Sequence, residues 1–271
     1  MKKLVLALTA VAAFTGSALA ADLPARTYTK APVMVETPSW TGFYLFGGGG
    51  YGLFDSDSYT TNAAGAQLTN NLKVGGDGYF GTVGGGYDWQ FNSSWVGGIF
   101  ADGQFGSIKG TITDPLFGAG ALPVAIPGGT QGTLKNTTNV AAGVRVGYLV
   151  APNVLSYVNG GYSYGEFGSS TQYNIASFAV TTTPSFNRNG WFLGGGVENN
   201  LNIFGITAPG WFMKTEYRVA EYNRTTLAET FVPGIGVGLT GLSVTEKPIV
   251  QTVSTSLVYR FNWGGPVVAK Y

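Results

Sequence analysis

Apolar and polar residues alternate with a period of two through most of this chain. The last such run, Val253-Ser-Thr-Ser-Leu-Val-Tyr-Arg-Phe-Asn-Trp263, shows it most clearly. Leu257, Tyr259, Phe261 and Trp263 share one face of a strand there, and Val258, Arg260 and Asn262 share the other. Seven earlier segments behave alike: Trp40 to Tyr51, Tyr79 to Gln90, Trp95 to Phe105, Thr138 to Leu149, Val154 to Gly165, Gly190 to Asn199 and Trp211 to Tyr222. Long connections rich in Gly, Asn and Thr alternate with short ones such as Phe91 to Ser94 and Val150 to Asn153. Eight strands of about ten residues with alternating long loops and short turns predict an all-β fold, an eight-stranded antiparallel transmembrane β-barrel. Tyr87, Trp89, Tyr148, Trp191, Tyr259, Phe261 and Trp263 stand at strand ends on the apolar face, where a membrane–water interface selects aromatic rings.

The beginning of the chain changes the pattern. Lys2 and Lys3 precede an apolar run from Leu4 to Phe14, and Ser17-Ala-Leu-Ala20 supplies small residues for cleavage. A cleaved N-terminal signal peptide over 1–20 is therefore expected. A proline-bearing periplasmic lead-in over 21–39 and a barrel over 40–271 should follow. No later segment is apolar for the ~20 residues a helix needs to cross a bilayer.

Composition agrees with a lipid-facing sheet. Charged residues are 11% of the chain, against about 25% in ordinary soluble domains, and glycine occupies 43 of 271 positions. Without Lys2 and Lys3 the balance is 13 basic residues against 14 acidic ones, with no basic stripe for nucleic acid. Cysteine and histidine are both absent. That removes thiol and Ser-His chemistry, the usual zinc sites and the commonest haem ligand, so no enzyme activity, metal or cofactor is expected. The triplets within Gly47–Gly50, Gly84–Gly86 and Gly194–Gly196 lie inside alternating strands and lack the lysine and hydroxyl of a phosphate loop. They make room for bulky interior residues such as Tyr44, Phe46 and Phe100.

If the apolar face meets lipid, the other face lines the lumen. Asp102, Arg145, Glu198, Lys214, Glu216 and Arg218 fall on it, with Asp88 and Arg260. Eight strands leave an interior that side chains fill, so these charges must pair. They form either a fixed ionic plug or a gate that passes ions. Arg145 is expected to neutralise Asp102 or Glu198.

Ser39-Trp-Thr-Gly-Phe-Tyr44, Gly85-Gly-Tyr-Asp-Trp-Gln90, Gly143-Val-Arg-Val-Gly-Tyr148, Gly194-Gly-Gly-Val-Glu198 and Lys214-Thr-Glu-Tyr-Arg218 carry a family resemblance. The chain resembles the small outer-membrane β-barrel proteins of alphaproteobacteria. These are OmpA-like barrels that include surface immunogens, haemin-binding members and proteins labelled porin family. The resemblance implies short periplasmic turns, long outer loops and a role in envelope integrity. It also implies outer-membrane lipids, lipopolysaccharide, the barrel-assembly machinery and host or surface ligands as partners. Haemin capture would here need a tyrosine such as Tyr59 or Tyr173. Two departures stand out. The chain runs past Phe261 and Trp263 to Tyr271, and the connection Asn200 to Gly210 is longer and more apolar than a minimal turn.

Overall fold

The computed structural model describes residues 39–261, apart from 120–121, 175 and 204–205. The expected signal peptide and nearly all of the lead-in lie outside the described residues, as do Asn262, Trp263 and the segment to Tyr271.

Eight long strands form a ring: β1 Gly42–Asn62, β2 Leu72–Gln90, β3 Trp95–Ala119, β4 Leu122–Ala151, β5 Val154–Phe167, β8 Phe186–Ile203, β9 Ile206–Tyr222 and β11 Leu239–Arg260. Each pairs antiparallel with the next, and β1 pairs with β11 to close the sheet. Closure satisfies every backbone group in a medium that offers no hydrogen bonds.

The stagger of the barrel follows from its pairings. Starting at Gly42 and stepping sideways through Asp88, Gly98, Arg145, Asn159, Gly194, Arg218 and Thr252 returns to β1 at Gly52. The displacement is ten residues, from 42 to 52. With eight strands, that shear tilts each strand by about 40° and sets a backbone radius of roughly 8 Å.

The strands are longer than the alternation alone predicts. β1 continues from Tyr51 to Asn62, and much of the stretch from Ser107 to Gly132, expected as a loop, belongs to β3 and β4. The outward face turns polar there, with Asp55, Asp57, Lys73 and Lys109, so the period persists while its membrane signature stops. Three short strands complete this region: β6 Ser170–Tyr173, β7 Ala179–Thr183 and β10 Thr225–Phe231. β6 pairs with β4 and β7, and β10 pairs with β7 and β11. A second closed ring of β1, β2, β3, β4, β6, β7, β10 and β11 therefore sits on the first. The apolar connection around Asn200 to Gly210 is likewise a hairpin, with Asn202 opposite Thr207 and Ile203 opposite Ile206.

The outward apolar residues mark the membrane. On β3 they run from Trp95 to Phe105, a rise of about 25 Å at that tilt, the height of a barrel's lipid-facing band. Trp89, Trp95, Tyr148, Trp211, Tyr259 and Phe261 ring the short-turn end, with Tyr87 just above them. Tyr51, Tyr79, Phe105, Tyr162 and Trp191 ring the opposite edge. Of the interface aromatics expected from the sequence, Trp191 thus belongs to the outer girdle and the other described ones to the inner.

Candidate functional site in the barrel lumen

Within the membrane band, period two carries the charged residues of the ring strands inward. Asp88, Asp102, Arg145, Glu198, Lys214, Glu216, Arg218 and Arg260 are all buried, and none exceeds 5% exposure. Four carboxylates face four cations, so the set is neutral. It divides into two clusters, one above the other.

The lower cluster is a four-membered square. Arg145 donates from Nε to Asp88 at 2.9 Å and pairs with Asp88 again through its second terminal nitrogen. Its other terminal nitrogen reaches Glu198 at 3.2 Å. Arg260 meets the same two acids, Glu198 at 2.8 Å and Asp88 at 2.9 Å. Each carboxylate thus sits between two guanidinium groups, and neither guanidinium depends on one acid. The sequence expectation that Arg145 neutralises Glu198 holds in this geometry, but Asp102 is not its partner. Asp102 lies higher on β3, where Arg218 takes it in a two-pronged contact at 2.9 and 2.7 Å. The β3–β4 register explains this: Gly98 stands opposite Arg145, whereas Asp102 stands opposite Ala141.

The upper cluster joins Asp102, Arg218, Glu216 and Lys214. Arg218 also holds Glu216 at 2.8 Å, and Lys214 stands 3.7 Å from Glu216. Tyr157 donates to Glu216 at 2.8 Å, and Asn159 donates to it at 3.0 Å. Lys214 rests 3.3 Å above the Phe46 ring. Arg145 faces Tyr44, Arg218 faces Phe192, and Arg260 faces Trp40, at 4.3, 4.5 and 4.3 Å. Planar guanidinium groups stack on such faces while their edges keep the carboxylates.

Inward glycines admit these rings. A Cβ on Gly84 would stand 2.6 Å from the Phe46 ring, and one on Gly86 would stand 2.5 Å from the Tyr44 hydroxyl. Two apolar layers bracket the charges. Trp40, Val96, Leu155, Phe212 and Val258 lie at the short-turn end. Phe54, Phe80, Ile108, Phe167, Tyr222 and Val250 lie at the outer end, with Phe167 stacked on Phe186 at 4.8 Å. Chemically, the lumen offers balanced charge and aromatic packing. Among the described residues no group of three or more Asp or Glu is arranged to hold a metal ion.

Some interior residues went unforeseen in the sequence. Trp40, whose indole donates to the Pro152 carbonyl at 3.2 Å, forms the floor under Arg260. Above the outer apolar layer, Glu246 and Glu229 are buried among Ser56, Gln172 and Thr225; the period of β11 continuing past the membrane signals Glu246, and nothing in the sequence signals Glu229 on β10. Tyr59 lies on β1 facing Arg224 at 5.7 Å, and Tyr173 is exposed on β6.

Comparison with known proteins places this architecture. No family model matches the chain. The 31 kDa outer-membrane immunogenic protein of Brucella melitensis biotype 1 is 31% identical over 267 residues, covering 96% of this chain and 100% of the relative. The protein of the same name from Brucella suis biovar 1 matches to the same extent. Among solved structures, the outer membrane protein OprG from Pseudomonas aeruginosa aligns with a TM-score of 0.47 and 11% identity, over 81% of this chain and 97% of that one. Neisserial surface protein A aligns at 0.34 and 11%, over 82% and 98%. With nearly a third of its residues shared along the full length of its relatives, the chain belongs to the family of the 31 kDa outer-membrane immunogenic proteins and is an integral β-barrel of the Gram-negative outer membrane.

Proposed function

We propose that this protein is a sealed structural barrel, one that stiffens the outer membrane and holds a strand-built rim above the surface for contact with the environment or a host. The observation that carries this reading is the neutral, fully paired charge stack closed between two apolar layers. Opening a water path would separate several buried ion pairs at once, each costing about 3–5 kcal/mol when one partner is stranded. The continuous upper ring supports the second half of the reading, because residues on paired strands keep a fixed shape for recognition.

Conductance of the folded protein in a planar lipid bilayer tests the proposal. A folded barrel that passes no discrete current is the expected result. Reproducible openings that change when Arg145 or Glu198 is neutralised would overturn it in favour of a narrow charged channel.

A further inference from the structure

Among the described residues, the barrel wall above the outer aromatic girdle carries four outward lysines, and two of them differ from the rest. Lys247 is paired with Glu221 at 2.6 Å, and Lys73 stands directly opposite Asp57 across β1 and β2. Lys109 and Lys135 instead stand directly opposite each other across β3 and β4. Like charges in that position repel, so the pair is unfavourable unless an anion sits between them. Among the described residues neither lysine has an ion pair. Asp77 faces Lys109 from β2, but its carboxylate accepts the Tyr51 hydroxyl, and it offsets only one of the two charges. Glu166, the nearest outward acid on β5, lies opposite Thr138, closer to the membrane than Lys135.

Height fixes what the anion is. Lys109 follows Phe105, the top of the lipid-facing band on β3, by four residues, or about 10 Å along the barrel axis at the strand tilt. The two ammonium groups therefore stand at the level of the outer-leaflet headgroups. Two pairs further up, and on the same outward face, Thr111 and Thr133 stand opposite each other and add two hydroxyl donors.

We propose that Lys109 and Lys135, with Thr111 and Thr133, hold a phosphate of the phosphorylated glycolipid that forms the outer leaflet. One phosphate between the two ammonium groups converts their repulsion into two attractions, and the acyl chains hang along the apolar wall below. The proposal is independent of whether the lumen conducts.

Native mass spectrometry of the folded protein in neutral detergent, titrated with diphosphoryl lipid A, tests it. Two lysines at a membrane surface contribute enough that Lys109→Gln with Lys135→Gln should weaken binding about thirtyfold. Lys73→Gln with Lys247→Gln removes the same charge from the same rim and should weaken it less than about threefold. Dephosphorylated lipid A should bind both proteins equally and weakly. Equal losses in the two double variants would overturn the site in favour of diffuse attraction. Unchanged affinity in the Lys109 and Lys135 variant, or equal affinity of the wild type for the dephosphorylated lipid, would overturn it outright. Retained heat-modifiable migration in gels identifies the variants as folded, since all four side chains point away from the lumen.

Discussion

Replacing Arg145 by Met examines the lower charge square directly. The substitution keeps an unbranched side chain between Tyr44 and Tyr157, whose rings lie 4.3 and 5.2 Å from the guanidinium, and it deletes the charge. Asp88 and Glu198 would then share Arg260 alone, which already touches both at 2.9 and 2.8 Å. The square passes from two cations and two carboxylates to one and two, a buried net charge of −1. Stranding a buried partner costs about 3–5 kcal/mol, and the surviving Arg260 contacts place this case near 3 kcal/mol. Adding Asp88→Asn restores neutrality, so the double variant should recover about 1–3 kcal/mol relative to additivity. Urea unfolding of the barrel in phospholipid vesicles, followed by tryptophan fluorescence, gives both values. The single variant should lower the midpoint by on the order of 1 M or more. A loss under about 1 kcal/mol, or no recovery on adding Asp88→Asn, would refute the view that charge balance governs this part of the lumen.

Other consequences are as direct. Gly84→Ala pushes a methyl group against the Phe46 ring and the Ala101 carbonyl and should cost about 1–3 kcal/mol in the same unfolding assay; Gly81→Ala, whose Cβ finds nothing closer than 3.8 Å, should be near neutral. Glu246 lies above the membrane band, and burial, opposed by the Ser56 hydroxyl at 3.4 Å, pushes its carboxyl from 4.5 up to about 7. The unfolded chain loses that proton first, so stability should fall as pH rises from about 4.5 to about 7, by roughly 3 kcal/mol in all. Glu246→Gln should flatten the dependence, which unfolding midpoints at about pH 5 and about pH 8 would reveal. A short epitope inserted after Val237, which is 99% exposed in the connection between β10 and β11, should leave folding intact and stain unpermeabilised cells.

The membrane part of this fold was legible because lipid imposes a hard rule on alternate residues. Leu257 and Tyr259 had to face out, so Val258 and Arg260 had to face in, and the same logic placed Lys214, Glu216 and Arg218 in the lumen. What period two cannot supply is height. Arg145 and Asp102 are both inward on neighbouring strands, yet the ten-residue stagger carries one past the other and sends each to a different partner. The upper ring escaped for another reason. Above the headgroups both faces of a strand are polar, so Ser56, Ser58 and Thr60 looked like loop, although their side chains are buried. β6, β7 and β10 are also too short to show a period, and their pairing with β4 and β11 is a long-range property.

The joint between the first and last ring strands has a consequence for how the protein comes into being. It is a ladder of 19 residue pairs, from Tyr44 with Arg260 to Asn62 with Leu242. Tyr44 and Arg260 are 216 residues apart (260 minus 44), so this contact carries a large loop-closure entropy and waits for almost the whole chain. Until it forms, β1 and β11 each offer a long open edge, which hydrocarbon does not tolerate and which another chain can capture. Arg260 sits at the foot of that ladder, and it also completes the charge square with Asp88 and Glu198. Zipping the wall shut and completing the lower charge square are therefore coupled through one residue of the last strand.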